Sequence, residues 1–480
     1  MLAGIDAACF DAAPMQIEPL RLPFDLTLSL PGSKSEVQRL VVAACLAKGR
    51  TTIRDATPCD DTRTLVAGLA AMGFSVAWFD EGDGILVVEG GLPATPPLGA
   101  TLHCGMGGAP LRFLLAIAAL VPGTWTLTGA PRLLARPHAP LVDALRMLGA
   151  DIEHVPGSAL VVRGGTLRGG EVVLDASGSS QFLSALASIA PRLDGGLRIT
   201  ISSTLASPSY AELTREVLSH FGVGVAVAGR RWTIPHGEPT SPGDLRAEGD
   251  WSAAGAFFVL ARLTRGRFRG ANLRIDSAQG DRRLAVLLDD LRAPGAIAID
   301  VAGVPDQAPN LVVAALMRSG ETCIRGGAVL RGKESDRIGV LCEELARTGA
   351  DLAPTADGFV VRGGRALHGA CLSCHDDHRL AMAFALLGQL VPGIEIDDPG
   401  CVSKSCPRFF ADLRRARHSP RCIALVGMRG AGKSTLAPLL AAELGLECVD
   451  SDALFECERG SIRRFVAREG WPAFRAHEAA

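Results

Sequence analysis

The stretch Leu145-Arg-Met-Leu-Gly149-Ala-Asp-Ile152 decides the fold class, because one glycine joins a helical pattern to a strand pattern. Glycine tolerates the left-handed backbone that ends a helix, so Gly149 predicts a helix C-terminus followed by a strand. The same pattern recurs at Gly73, Gly222, Gly295 and Gly349. Three of the five are followed by a second strand-like run, which ends at Gly91, Gly165 or Gly364. These recurrences predict a repeated α/β unit, a helix followed by a β-hairpin.

The spacing of these glycines indicates how large the repeated unit is. From Gly73 to Gly295, successive glycines are 73 to 76 residues apart. This period is too long for a solenoid repeat and suits a whole α/β folding unit. A chain of 480 residues predicts two to four domains with sizeable cores.

Composition and charge exclude several classes of protein. With 48% hydrophobic and 21% charged residues, the chain has the composition of an ordinary folded protein. Its net charge of -2 gives no overall basic surface for a nucleic acid or an anionic membrane. The longest apolar run, 113–120, is too short to span a bilayer, and the N-terminus resembles no export signal. We therefore expect a cytoplasmic protein whose 13 scattered cysteines are reduced.

The sharpest local motif is Gly427-Met-Arg-Gly-Ala-Gly-Lys433-Ser434, a complete GxxxxGK[ST] sequence. It follows a strand-like run from Cys422 to Val426 and precedes an amphipathic segment from Thr435 to Leu444. Backbone N–H groups of such a loop bind phosphates, the lysine reaches the terminal phosphates and the hydroxyl holds Mg²⁺. A basic, proline-ended stretch, 414–420, precedes it and predicts a linker.

Elsewhere, basic residues lie in short motifs rich in Gly, Ser or Pro. These motifs contain Lys34 and Arg39, Arg112, Arg136, Lys333 and Arg337, His378 and Arg379, and Lys404. Cations that are dispersed in sequence but converge in space suit a substrate with several phosphate and carboxylate groups. For any one of these basic residues taken alone, a solvated position on the surface is the simpler interpretation.

Nine short motifs of the chain, which include most of these basic residues, resemble in order and spacing those of the 5-enolpyruvylshikimate-3-phosphate (EPSP) synthase family. They are PGSKSEVQR, RLLARPHAPLVDAL, SGSSQFLSAL, SPSYAEL, EGDWSAAGAFF, VPDQAPNL, LRGKESDRI, DDHRLAMAFALL and CVSKSCPRFF. The resemblance extends from about Ile17 to Leu413. The segment with GMRGAGKST and GWPAFR looks like the start of a shikimate kinase. This order is similar to the central part of the pentafunctional arom polypeptide.

The resemblance implies a fold and a set of domain limits. The fold class is α/β, with two domains of three similar units each, six in all, and the active site between them. Residues 34–245 would form one domain, and residues 14–33 with 246–416 the other. Residues 417–420 would be the linker, and 421–480 the N-terminal part of a P-loop kinase-like α/β domain. Other shikimate-pathway domains are possible partners in the full-length gene product.

The reaction implied is transfer of the enolpyruvyl group of phosphoenolpyruvate to the 5-hydroxyl of shikimate 3-phosphate, with release of phosphate and without a cofactor. Catalytic roles would fall to Asp306 as proton acceptor, Glu334 as proton donor, and Lys34. Because Lys333 and Arg337 flank Glu334, only burial could keep its pKa high enough for an acid. Phosphoenolpyruvate would be bound by Lys34, Gly108, Arg136, Gln181, Arg337, Arg379 and Lys404. Shikimate 3-phosphate would be bound by Lys34, Ser35, Arg39, Ser179, Ser180, Gln181, Ser207, Tyr210, Asp306 and Lys333.

For the tail, the kinase resemblance implies ATP and Mg²⁺ as cofactors of a complete domain. ATP would be bound by Gly427, Gly430, Gly432, Lys433, Ser434 and Thr435. Asp452 and Arg475 would bind shikimate, and Ser434 with Asp450 are the possible Mg²⁺ ligands. Sixty residues from Arg421 are few for an independent core, so we expect a partly folded tail with negligible kinase activity.

Two positions depart from the EPSP synthase pattern, and other functions stay open. Met106 stands where the family usually has an asparagine, and Val329 stands where several members have an asparagine that contacts substrate. A rival in the same fold is UDP-N-acetylglucosamine enolpyruvyl transferase, for which Cys104 would have to supply the acid. A catalytically silent scaffold is a second alternative. The CxxCH sequence that starts at Cys371 would suit haem or zinc if it stood alone.

Overall fold

In the computed structural model, the described residues are 14–20, 23–418, 423–428, 431–444 and 448–478. The strands are β1 (Met15–Gln16), β2 (Asp25–Leu28), β3 (Gly49–Arg54), β4 (Ser75–Asp80), β5 (Ile85–Gly90), β6 (Gly99–His103), β7 (Gly123–Thr128), β8 (Asp151–Glu153), β9 (Leu160–Gly164), β10 (Gly170–Leu174), β11 (Leu197–Ile201), β12 (Ala226–Ala228), β13 (Arg231–Ile234), β14 (Asp244–Arg246), β15 (Arg267–Gly270), β16 (Ile297–Asp300), β17 (Gly320–Arg325), β18 (Asp351–Pro354), β19 (Phe359–Gly363), β20 (Cys371–Leu372) and β21 (Glu395–Ile396). The helices are α1 (Lys34–Leu46), α2 (Asp60–Ala71), α3 (Gly108–Leu120), α4 (Pro131–Leu134), α5 (Ala139–Met147), α6 (Gln181–Ile189), α7 (Pro208–His220), α8 (Trp251–Thr264), α9 (Leu284–Asp290), α10 (Ala308–Leu316), α11 (Arg337–Ala346), α12 (His378–Gly388), α13 (Phe409–Arg417), α14 (Lys433–Leu444), α15 (Ser451–Arg459) and α16 (Ile462–Glu478).

One sheet arrangement occurs four times. In the sheet β6-β7-β9-β8, β6 runs parallel to β7, while β9 is antiparallel to both β7 and β8. The sheets β10-β11-β13-β12, β16-β17-β19-β18 and β14-β3-β5-β4 have the same pattern. Two smaller sheets, β15-β2 and β1-β21-β20, complete the set. The predicted helix-and-hairpin unit is confirmed, with four full sheets and two reduced ones.

The glycines that marked the repeat have the backbone conformation that the sequence predicted. Gly73, Gly149, Gly222, Gly295 and Gly349 have φ between +77° and +96°. Residues other than glycine rarely adopt this left-handed backbone conformation, which explains why glycine stands at each of these chain reversals.

Each half of the chain from residue 14 to 418 has its own hydrophobic core. The first core comprises buried residues between Val37 and Ala247, with α1, α3 and α6 buried on nearly all sides. The second comprises buried residues between Ile17 and Leu30 and between Ala253 and Ala416. The chain crosses between the halves twice, at neighbouring segments where Ser33 N–H donates to the Glu248 carbonyl at 2.7 Å. The two cores divide this part of the chain into two halves, and the exact domain limits stay a prediction.

The linker and the tail differ from the prediction. Residues 414–417 form the last turn of α13 instead of a linker, because Leu413 and Ala416 are buried in the second core. The predicted strand from Cys422 to Val426 is wrong for its described part, since residues 423–428 lie in no strand and are largely exposed. A buried strand needs hydrogen-bonded neighbours, whereas the described tail contains helices alone. Within the described ranges, no helix is long and apolar enough to cross a membrane.

Candidate active site

A cavity of about 350 Å³ lies between the two halves and is lined by residues of both. The predicted residues that line it are Lys34, Ser35, Arg39, Gly108, Arg136, Ser179, Ser180, Gln181, Ser207, Tyr210, Asp306, Lys333, Glu334 and Arg337. Two predicted residues are buried just behind this lining. Lys404 lies 3.6 Å from Glu334, and Arg379 interacts electrostatically with Asp306. The structure therefore brings together side chains that are up to 370 residues apart in sequence.

Six helices begin at this cavity. The first residues of α1, α3, α6, α11 and α12 line it, as does Ser207, which precedes α7. Helix N-termini present unpaired backbone N–H groups and a partial positive charge. Backbone and side chains together thus produce a site suited to anions.

The centre of the site is the guanidinium of Arg337, which is 1% exposed. It donates to Asp306 at 2.9 Å, to Glu334 at 2.9 Å and to Asp377 at 2.7 Å. Lys333 lies 3.1 Å from Asp306. One arginine thereby holds the two predicted acid/base carboxylates beside each other, and its other donors bind a third carboxylate, that of Asp377.

The pKa values of both acid/base carboxylates are depressed. Burial raises the pKa of Glu334, but Arg136, Arg337 and Lys404 together lower it well below its usual range. Burial likewise raises the pKa of Asp306, and Lys333 with Arg337 lowers it well below that range. The sequence left open whether burial or the flanking cations decide the pKa of Glu334. In the protein without ligand, the surrounding cations outweigh the loss of hydration, so the carboxylate is ionised.

Asp61, which the sequence analysis did not select, links the two halves across the cavity. Its carboxylate accepts from Lys34 at 2.9 Å and from Lys404 at 3.0 Å, and these cations lower its pKa although burial opposes them. Lys404 also donates to the Met106 carbonyl at 3.0 Å, so Met106 contributes its backbone where its side chain cannot hydrogen-bond. Opening of the cavity would break these contacts.

Gly108 allows two arginines to approach the cavity. A Cβ atom at Gly108 would lie 2.9 Å from Arg136 Nη1 and 3.5 Å from Arg112 Nη1. Arg112 donates to Gln181 at 2.6 Å and to Ser179 at 3.2 Å, which orients both for contact with a ligand. Burial and the neighbouring Arg136 lower the pKa of Arg112 to about 9.

Arg39 and Tyr210 form another wall. Arg39 is buried and donates to Thr214 at 2.8 Å, Ser184 at 3.1 Å and the Ser35 carbonyl at 2.6 Å. Its guanidinium lies 5.8 Å from the centre of the Tyr210 ring. Most N–H groups of Arg39 thus donate to other protein atoms. The guanidinium thereby holds Ser35 and Tyr210 in position at the cavity wall.

Sequence reasoning missed part of the lining, namely Gln38, Asp61, Arg112 and His378. Arg112 and His378 stood in motifs already singled out, and Gln38 lies one turn after Lys34 on α1. A sequence signal for Asp61 exists only in the acidic start of α2. Burial together with Arg379 and Lys34 lowers the pKa of His378 well below its usual range, so this imidazole is neutral.

In the tail, the candidate ATP residues Gly427 and Gly432 lie in exposed segments outside helices, and Lys433, Ser434 and Thr435 form the start of α14. Gly430 falls outside the described residues. Lys433 donates to the carbonyls of Gly427 at 2.8 Å and Met428 at 3.1 Å. Asp450 accepts from the backbone of Asp452 and so caps α15, and Arg475 lies 5.9 Å from the Trp471 ring. Among the described residues, no His, Cys, Asp or Glu cluster could hold a metal ion.

The structure also weakens the competing functions. Cys104 is fully buried, its thiol lies 3.7 Å from the Leu102 carbonyl, and burial raises its pKa to about 12. It is absent from the cavity lining, so it is badly placed to act as an acid. In the CxxCH sequence, Cys371 is exposed whereas Cys374 is buried and adjoins Cys401. These cysteines do not form a common ligand set.

Known proteins share both the sequence and the fold. The family model for EPSP synthase (3-phosphoshikimate 1-carboxyvinyltransferase) matches residues 23–413, and the model for shikimate kinase matches residues 429–480. A 3-phosphoshikimate 1-carboxyvinyltransferase of Methanoculleus marisnigri is 37% identical over 82% of this chain and 96% of its own length. One of Shewanella denitrificans is 33% identical over 84% and 98%. The solved structure of EPSP synthase from Acinetobacter baumannii has a TM-score of 0.69 at 24% identity, covering 84% of this chain and 97% of that one. The chain belongs to the EPSP synthase family and continues into a partial shikimate kinase domain.

Proposed function

We propose that this chain transfers the enolpyruvyl group of phosphoenolpyruvate to the 5-hydroxyl of shikimate 3-phosphate, using the residues of the cavity between its halves. One observation carries the proposal: Arg337 holds Asp306 and Glu334 together in a cavity surrounded by cations from both halves. Two negatively charged substrates need such a density of cations, and addition followed by elimination needs two groups that can give and take protons.

Asp306 is the proton acceptor in this scheme. Its depressed pKa keeps it ionised, so it can take the proton of the 5-hydroxyl when the oxygen attacks C2 of phosphoenolpyruvate, the carbon that bears the phosphate ester. Lys333, 3.1 Å away, would offset the negative charge that builds up on that oxygen. The first carbon–oxygen bond thus forms beside a base and a cation.

Glu334 is the proton donor to the methylene carbon, and the substrate itself helps it to become one. Arg136 and Lys404, which hold the ligand-free carboxylate ionised, are also candidate ligands of phosphoenolpyruvate. When an anionic substrate neutralises these cations, their stabilisation of the Glu334 carboxylate weakens and its pKa rises. Glu334 would therefore be protonated mainly when phosphoenolpyruvate is present, and would take a proton back at elimination.

Phosphoenolpyruvate is placed between Lys34, Arg136, Arg337 and Lys404, next to Gly108. Shikimate 3-phosphate is placed against Ser35, Ser179, Ser180, Ser207 and Tyr210. Since Arg112 orients both Gln181 and Ser179, it would couple the two subsites. No cofactor takes part in these steps, and a cytoplasmic location remains part of the proposal.

The decisive experiment measures phosphate release by the purified chain with both substrates, each substrate alone, and UDP-N-acetylglucosamine in place of shikimate 3-phosphate. Release only with phosphoenolpyruvate and shikimate 3-phosphate together supports the proposal. Release with UDP-N-acetylglucosamine alone as acceptor would assign the rival activity, and no release with either acceptor would favour a silent scaffold.

For the tail, we propose that ATP and Mg²⁺ would serve a complete kinase domain, with Lys433 and Ser434 at the phosphates. The described tail residues supply three helices and no sheet, so a kinase active site is not assembled from them.

A further inference from the structure

Asp281 is a buried carboxyl group beside the candidate active site. It lies at the start of a short 3₁₀ helix, Gly280–Arg283, and is 4% exposed. In the described part of the chain it forms no ion pair, unlike Asp306 with Lys333 and Arg337. A carboxylate buried without a direct cationic partner is costly, so it needs a compensating role or a proton.

The hydroxyl of Tyr210 stands between two carboxyl groups. Tyr210 Oη lies 3.2 Å from Asp306 Oδ2 and 3.5 Å from Asp281 Oδ2. A phenol has one hydrogen, so it can donate to only one of them. The other contact becomes a hydrogen bond only if that second carboxyl group carries a proton itself. Both contacts of the Tyr210 hydroxyl are therefore hydrogen bonds only when the three groups share one additional proton.

The contact between Tyr210 and the two carboxyl groups is made across the two halves. Asp281 and Asp306 belong to the second half of the chain, whereas Tyr210 lies on α7 of the first. A Cβ atom at Gly280 would lie 2.3 Å from Ser209 Oγ, so glycine is what lets the segment before Asp281 approach α7. Ser209 in turn donates to the Gly303 carbonyl at 3.5 Å.

We propose that Asp281, Tyr210 and Asp306 form a proton relay in which Asp281 receives the proton that Asp306 takes from the substrate hydroxyl. This inference rests on the proposed role of Asp306. In the step, the O–H bond of protonated Asp306 breaks as an O–H bond to Tyr210 forms, and the original Tyr210 O–H bond breaks as one to Asp281 forms. One proton moves, no electrons are transferred, and the Asp306 carboxylate is restored.

The surroundings of Asp281 suit a temporary proton acceptor. The ionisable groups that face it are Asp306 before α10, Asp250 before α8, Arg379 on α12 and Tyr210 on α7. Burial and the negative charge of Asp306 raise the pKa of Asp281 to about 6, with Arg379 opposing them. Near neutral pH it is mostly ionised, and it gains a proton readily. Asp281 is thus a positioning and proton-storing residue that acts through Tyr210.

The test is a double-mutant cycle on phosphate release with Asp281→Asn, Tyr210→Phe and the double variant. We expect each single change to lower kcat by at least about 10-fold, which is less than the ~10² to 10⁴ for a direct acid or base because both residues act through Asp306. The double variant should match the worse single one. Fold-losses that multiply in the double variant would overturn the relay. The matched control is Asp289→Asn, on the exposed face of α9, which should leave kcat unchanged.

The pH profile distinguishes proton storage from a merely structural role. In the wild type, kcat should fall below about pH 6 as Asp281 becomes protonated, and this limb should be missing in Asp281→Asn. An unchanged limb would contradict the proposal. If Asp281→Asn does not fold, Tyr210→Phe gives the same test, because it removes a single hydroxyl.

A measurement without turnover separates this inference from the proposed function. Difference infrared spectra across about pH 6 should show one protonated-carboxyl band that Asp281→Asn lacks and Tyr210→Phe shifts. Identical bands in all three proteins would overturn the relay even if phosphate is released. A wild-type protein that shows the band but releases no phosphate would instead refute the proposed reaction.

Discussion

Replacing Glu36 with glutamine should stabilise the protein increasingly as pH rises. Glu36 is 8% exposed on α1, and its carboxylate accepts one hydrogen bond, from the Glu248 N–H at 3.0 Å. Burial, together with the nearby acid Glu248, raises its pKa from 4.5 to about 8. Glutamine keeps the acceptor for the Glu248 N–H without a charge that must be buried.

The sign and the size of this change in unfolding free energy follow from proton linkage. A carboxyl group whose pKa is raised on folding contributes stability that is fully present below its unfolded pKa and is lost as pH rises through the folded pKa. Each pKa unit corresponds to about 1.4 kcal/mol. Between about pH 5 and about pH 8, the wild type should lose about 3 kcal/mol of unfolding free energy relative to Glu36→Gln. Above about pH 8, the two curves should run parallel.

Urea unfolding of both proteins at several pH values measures this difference. Glu89→Gln is the control, because Glu89 is exposed on β5 and should change stability little. A constant difference between wild type and Glu36→Gln across this pH range would refute the reasoning and would mean that Glu36 is ionised throughout. A difference that shrinks with rising pH would show that the sign is wrong.

Three further results are expected. Glu334→Gln should lower kcat by ~10² to 10⁴ while the dissociation constant of shikimate 3-phosphate, measured by calorimetry, changes little, and the opposite pattern would reverse its role. Lys404→Ala should weaken phosphoenolpyruvate binding more than Arg408→Ala, a neighbouring exposed cation, and equal affinities would place the ligand elsewhere. Shikimate phosphorylation from ATP should be negligible in the purified chain, and robust activity that Lys433→Ala abolishes would contradict the proposed incompleteness of the tail.

Local patterns were sufficient to predict the repeated unit. The turn at Gly149 needs a left-handed backbone, and the alternating run before Gly165 needs a half-buried strand, so both follow from neighbours in sequence. The predicted strand before Gly427 is wrong because its stability depends on residues that are distant in sequence. Its apolar residues match a buried strand, but a strand is stable only when others pair with it, and the described tail provides none.

The residues of the candidate active site also divide into those that the sequence could predict and those that it could not. Side chains in distinctive motifs, such as Lys34 and Arg337, were predictable from the family resemblance. Asp61 was not, because its role arises only when the fold brings Lys404 from 343 residues away. The depressed pKa of Glu334 also depends on Arg136 and Lys404, which come from distant segments, and the flanking sequence shows only Arg337.

The six helix N-termini that meet at the cavity give it a positive potential that is made of peptide groups rather than side chains. The peptide groups that produce this potential do not titrate and, unlike side chains, do not change rotamer. The potential persists at a pH that discharges lysines, and it needs no reorganisation when an anion arrives. Substitution of a single lysine or arginine should therefore alter which anion is preferred, while the preference for anions as a class is a property of the chain path itself.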